Sequence, residues 1–235
     1  MAFKRDIKDI VCEYCINHLP NDAWYENQFD FVEDEMLRKR IIEEFKAVRF
    51  AYKLYEGIEA KGENLVFEIR HQIFVYASLY EAIIDYVLKN YYNDTKIFDD
   101  LIHFKGFNRI SIPNDKLQKL KKELTHNGDD IIPFCAVRKA KDYTKVRFSE
   151  KCNAAEQLGI ISKINNSSGD VVDLPKDIVK VYEYRNAIHL IAEQRKGVEY
   201  ELDMGRIAYR RMQPFVSQVR QKLKDDKKGI FKITV

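Results

Sequence analysis

No apolar run in the 235 residues approaches the roughly 20 needed to cross a bilayer, so a membrane-spanning helix is excluded as an expectation. The opening Met-Ala-Phe-Lys-Arg-Asp leads into a charged amphipathic stretch and lacks the form of a secretory leader. With only 4 cysteines, reduced thiols in a cytoplasmic protein are expected, not a disulfide framework. Glycine (9) and proline (5) are scarce, which argues against a loop-rich β sandwich and for long helices. The net charge of +3 is too small for nucleic-acid binding by bulk electrostatics, so an anionic partner would have to be recruited by local patches. The chain also lacks a Walker loop, a Gly-rich dinucleotide turn, a HExxH helix and a Gly-x-Ser-x-Gly elbow, leaving the common cofactor-driven enzyme classes without support. Cys12 and Cys15 have CxxC spacing with His18 close behind, but a structural zinc site wants four ligands and no second pair exists. These are read as core thiols, and no metal or cofactor is expected.

What is present suits a packed core: 46% hydrophobic residues beneath a surface supplied by 33% charged ones. Apolar periodicity predicts helices over 7–19 and 31–60, the second with Ile41, Phe45, Val48, Tyr52 and Tyr55 on one face. Lys61-Gly62-Glu63-Asn64 breaks the pattern. Residues 65–92 are then apolar on most of their circumference (Ile69, Ile73, Phe74, Tyr76, Ala77, Leu79, Tyr80, Ile83, Ile84, Val87), which marks the central helix of a bundle. Residues 93–113 show no clean period and read as loops with short helical turns. A lysine-rich helix is expected over 116–126, closed by Asn127-Gly128, and 131–137 reads as a short strand or extended segment. Ser149 can cap a helix through Leu158, with Gly159-Ile160 as a Schellman stop. Residues 164–170 form a loop, and Asp173-Leu174-Pro175 opens a helix running to about 195. Asp203 can cap a last helix over 204–226, with Ala208, Met212, Phe215, Val219 and Leu223 as its core stripe and Pro214 as a kink. The tail, 230–235, reads as strand or coil. The expected class is all-α, a helical bundle with minor extended segments. Its division is an N-terminal helical segment packing on the bundle (1–60), a main domain (65–226) and a tail (227–235).

Chemistry concentrates in 182–190, Tyr-Glu-Tyr-Arg-Asn-Ala-Ile-His-Leu. On a continuous helix Arg185 and His189 would share one face, one turn apart, with Asn186 at its edge. A permanent cation beside a proton-exchanging imidazole suits a phosphodiester, the one neutralising oxygens while the other moves a proton. The plainer alternative is a structural Arg–Glu bridge and a histidine satisfied within a helix interface. Glu81 and Asp85, spaced i,i+4 in the most apolar helix, need cationic partners if buried; Arg185 is a candidate, which would make them orienting residues. Two basic runs could follow a phosphate backbone or merely be solvated faces. One holds Arg138, Lys139 and Lys141 with Tyr143; the other holds Arg206, Arg210 and Arg211.

The apolar segment from Arg70 to Asp85 and the motif Tyr184-Arg185-Asn186-Ala187-Ile188-His189 together resemble the HEPN superfamily. The segment from Val146 to Ile161 is similar to the helix preceding the motif in some bacterial members. The resemblance spans about 65–223. It implies a HEPN-like helical domain and a metal-independent endoribonuclease that cleaves RNA through its own 2′-hydroxyl, as in toxins and antiviral-defence effectors. His189 would act as general acid or base, Arg185 would stabilise charge at phosphorus, and Asn186 would hold the geometry. It further implies a homodimer and, for a toxin, an antitoxin or regulatory protein partner. Three residues separate Arg185 from His189, where the usual ribonuclease form has four to six. That spacing motivates a second expectation, a non-catalytic dimeric module binding nucleic acid or protein.

Overall fold

In the computed structural model, residues 4–123, 132–166, 168–188 and 197–229 are described. The chain is predominantly helical and divides into two compact units, 95–146 and the remainder. Among the described residues no helix is long and apolar enough to cross a membrane.

The larger unit is built on α4 (Glu63–Tyr91). Ile69, Ile73, Tyr76, Tyr80, Ile83, Ile84, Val87 and Leu88 are all buried, because apolar residues occupy nearly every direction around this helix. Around α4 pack α3 (Glu35–Gly57), α7 (Phe148–Gln157), α8 (Leu174–Arg185) and α9 (Leu202–Asp225), while α1 (Arg5–Asn17) and the short α2 (Asp22–Gln28) pack on α3. Tyr80 shows how one residue serves two needs: its ring meets Phe215 edge-on at 5.1 Å, and its hydroxyl donates to the Ala208 carbonyl at 2.7 Å. Phe74, expected in the core set, is instead 49% exposed.

Several boundaries are set by local chemistry. The Asp173 side chain accepts from the Lys176 N–H at 3.2 Å, and Pro175 lies in the first turn of α8. Gly159, at φ +70°, ends α7: its N–H donates to Glu156, and the Ile160 N–H to Ala155, the paired bonds of a Schellman stop. Other boundaries depart from the sequence expectation. Residues 31–34 are not helical. Phe29, Phe31 and Val32 are buried in an irregular segment, and the Asp30 carboxylate receives both Nε and Nη2 of Arg220, at 3.0 and 2.7 Å. Tyr91 donates to the Phe31 carbonyl at 2.6 Å, so tertiary partners replace the helical bonds this segment forgoes. Asp34 then caps α3 through the Leu37 N–H, and Glu201, not Asp203, precedes α9. The loop expected over 164–170 begins instead with a strand, Ile164–Asn165 (β3), which pairs with Val171–Val172 (β4) in a minimal hairpin.

The smaller unit contains α5 (Lys96–Leu101), β1 (His103–Arg109), α6 (Asn114–Glu123), β2 (Phe134–Ala140) and a 3-10 turn, Tyr143–Lys145. β1 and β2 form an antiparallel ribbon with Lys105 opposite Arg138 and Phe104 opposite Lys139. Strand β1 corrects the expectation of loops over 93–113. Alternation is hard to see in His-Phe-Lys-Gly-Phe-Asn-Arg because neither face is consistently apolar.

Candidate functional site

Arg185 occupies the last turn of α8, and Asn186 is its C-cap residue. Of the helix expected to run to about 195, residues 186–188 are not helical: the Ala187 and Ile188 N–H groups donate three residues back, to Tyr184 and Arg185, closing α8 with tightened turns, and 189–195 lie outside the described residues. Nothing in Asn-Ala-Ile-His stops a helix. At the stop the Tyr184 carbonyl accepts both the Ala187 N–H, at 2.9 Å, and the Tyr200 hydroxyl, at 3.2 Å, so a tertiary partner helps satisfy the helix end. In a continued helix that carbonyl would accept the Ile188 N–H. Tyr200 is itself held, its ring 5.0 Å from the Arg70 guanidinium carbon. The helix carrying Arg185 thus ends ahead of position 189. His189 itself lies outside the described residues, as do the expected helix end at 126 with Asn127-Gly128 and the tail 230–235.

Around Arg185 the larger unit assembles a mixed polar and aromatic cluster. Arg185 Nη1 lies 3.6 Å from Glu81 Oε2, and the Tyr182 hydroxyl donates to Glu81 Oε1 at 2.9 Å. One carboxylate thus holds both groups. The guanidinium carbon sits 5.1 Å from the Tyr182 ring centroid and 5.7 Å from that of Phe74, which accounts for the exposed Phe74 as one wall of the site. Tyr182 stacks in turn on Phe148 of α7 at 4.3 Å. Burial, followed by the neighbouring Glu81, raises the Tyr182 hydroxyl above its ordinary value, so it remains a proton donor near neutrality. Arg185 and Glu81 keep 27% and 30% of their side-chain surface exposed, so a ligand can still reach the cation. Asp85, one turn along α4, faces a different partner: Lys151 Nζ, 5% exposed, lies 2.8 Å from its carboxylate. That partly buried pair ties α7 to α4, and Asp85 meets Lys151 where the sequence suggested Arg185.

The two basic runs separate into different environments. On α9, Arg206 pairs with Asp203 at 3.3 Å and Arg211 with Asp177 of α8 at 2.7 Å. Only Arg210 of these three is exposed with no ion pair among the described residues. In the smaller unit, Arg138 pairs with Asp99 and Asp100. Lys139 projects from the opposite face of the ribbon, its stem over Gly106, where a Cβ would meet Lys139 Cδ at 2.6 Å. Lys141 follows the strand, its N–H donating to Ile102, and Tyr143 stacks on Phe98 at 5.8 Å instead of standing free. Sequence reasoning missed the ribbon's own exposed groups, Lys105, Phe107, Arg109 and Phe134. The available signal was aromatic and basic residues interleaved at period two, hidden by the absence of a buried face.

Cys12 and Cys15 are free thiols of α1, half-buried and buried, and the described residues hold no cluster of three or more His, Cys, Asp or Glu fit for a metal ion. The chain matches no protein-family model, and no curated protein or solved structure is significantly similar to it.

Proposed function

We propose that the chain is a HEPN-like, metal-independent endoribonuclease acting as a homodimer, in the manner of a toxin or antiviral-defence effector held in check by an antitoxin or regulatory protein. The observation that carries this reading is the cluster that Arg185 and Tyr182, at the end of α8, form with Glu81 of α4, Arg185 standing immediately before Asn186 and four residues before His189. Arg185 is oriented by a carboxylate and bordered by rings, yet remains open to an anion. A phosphodiester entering there would meet a fixed cation for its non-bridging oxygens. His189 would remove the 2′-hydroxyl proton or protonate the leaving 5′-oxygen, and Asn186 would orient the turn between them. The 2′-oxygen bonds to phosphorus as the P–O5′ bond breaks, leaving a 2′,3′-cyclic phosphate. Phe67 and Phe74, exposed one heptad apart on α4, offer apolar surface for a second copy next to Arg185.

A second reading, a non-catalytic dimeric module for nucleic acid or protein, is favoured by one feature: Glu81 already neutralises part of the Arg185 charge. Mixed-sequence RNA incubated in EDTA with the parent chain and with His189→Ala separates the two. The parent alone is expected to give products with 2′,3′-cyclic ends. Undiminished cleavage by pure His189→Ala would remove that residue from the mechanism, and RNA retained uncut by both chains would favour the module.

A further inference from the structure

The ribbon of the smaller unit presents a surface that the Arg185 cluster does not use. Directly opposed residues of an antiparallel pair share a face, and successive residues alternate between faces. The register therefore puts Lys105 and Arg138, Phe107 and Ala136, and Arg109 and Phe134 on one side. This side is open. Phe107 is 60% exposed and Phe134 54%, far from the burial phenylalanine normally finds. Lys105 Nζ stands 5.8 Å from the Phe107 ring, and neither Lys105 nor Arg109 makes an ion pair among the described residues.

Charge identifies the partner. Residues 95–146 contain eleven lysines and arginines against seven aspartates and glutamates, a formal +4, so the rest of the chain carries −1 of the total +3. An apolar protein partner would leave Lys105 and Arg109 desolvated and unpaired. A nucleic-acid strand answers both features, with phosphates for the cations and base faces for the rings. Phe107 and Phe134 stand two residue steps apart along the ribbon, about 7 Å. That is about twice the 3.4 Å step along a duplex strand, whose base faces are already stacked. The spacing fits splayed bases.

We infer that this face of the β1–β2 ribbon is a binding surface for single-stranded RNA, with Phe107 and Phe134 stacking on bases and Lys105 and Arg109 tracking the backbone. The choice of RNA over DNA rests on the ribonuclease reading; the surface itself does not depend on catalysis. The test uses the full chain, a fluorescein-labelled 12-nucleotide mixed-sequence RNA and anisotropy titration in EDTA, with cleavage followed separately. Phe107→Ala combined with Phe134→Ala is expected to weaken binding about tenfold or more, and the leucine pair almost as much, since leucine keeps the apolar surface but loses the stacking. Lys105→Gln with Arg109→Gln should lower the log–log salt slope by about 1.4. A self-complementary duplex of equal length should not sense the phenylalanine changes. Parent-level affinity in both phenylalanine pairs, with unaltered circular dichroism, would overturn the inference, as would failure of the parent to bind the single strand. Phe-sensitive binding without cleavage would remove the nuclease reading and leave the surface intact; cleavage with Phe-insensitive binding would do the reverse.

Discussion

The core tyrosines of the helical unit and the phenylalanines on the strands of the ribbon unit are placed in opposite ways. In the helical unit the buried Tyr80 and Tyr92 and the half-buried Tyr91 satisfy their hydroxyls on Ala208, Asp226 and Phe31, at 2.7, 2.7 and 2.6 Å. Its cations are similarly committed, Arg220 to Asp30, Arg211 to Asp177 and Lys151 to Asp85. In the ribbon unit, Phe104, Phe107 and Phe134 are each at least half exposed, beside cations of which Lys105 and Arg109 have no acidic partner among the described residues. An isolated two-stranded ribbon is marginally stable, and placing its large apolar groups outward does nothing to improve that. The comparison teaches that residue type alone does not separate a stabilising aromatic from one available to a ligand. The distinction lies in what surrounds it.

The sharpest way to break this contrast is by truncation. Phe215→Ala, in the fully buried contact with Tyr80, should cost about 3–5 kcal/mol in urea denaturation, whereas Phe107→Ala should change stability by about 0.5 kcal/mol or less. Equal losses would mean that the ribbon phenylalanine is structural. The cations allow a parallel comparison. Arg220→Ala strands the buried Asp30 carboxylate and should cost about 3 kcal/mol or more, against about 0.5 for Arg109→Ala.

The smallest effect concerns Glu68, a buried carboxyl of α4 that accepts from the Gln72 amide while its Oε2 has no hydrogen-bond partner among the described residues. Burial raises its pKa above the ordinary 4.5, with the Gln72 amide opposing. The folded chain therefore holds this proton more tightly than the unfolded chain. The stabilisation is complete at pH values below the unfolded pKa and is lost as pH rises through the folded one. Glu68→Gln, which removes the ionisation, should raise the denaturation midpoint at pH 7, and its advantage should vanish in acid below the ordinary carboxylate range. A lower midpoint at pH 7 would show that the ionised group is stabilising.

Much of the helical unit was legible because its signals are local. The near-continuous apolar circumference of α4, the Asp173 cap with Pro175, and the Gly159 stop all act within a few residues of where they are read. The site was legible in composition but not in geometry. Pairing Glu81 with a cation from another helix followed from the cost of burying a carboxylate, and Arg185 is that cation. That Lys151, not Arg185, meets Asp85 could not be read from spacing, because both partners are brought to α4 by separate helices.

The all-α class, the central helix and the strongest caps are written locally in the chain, since helical periodicity and capping are encoded within one or two turns. Three further features arise from long-range contacts. The Tyr200 hydroxyl meets a carbonyl at the end of α8, the Arg220 guanidinium meets Asp30 in the irregular segment 29–32, and β1 finds β2 across the intervening α6. Each depends on a partner at least 15 residues away, where no short-range pattern records which carbonyl, carboxylate or strand will be met.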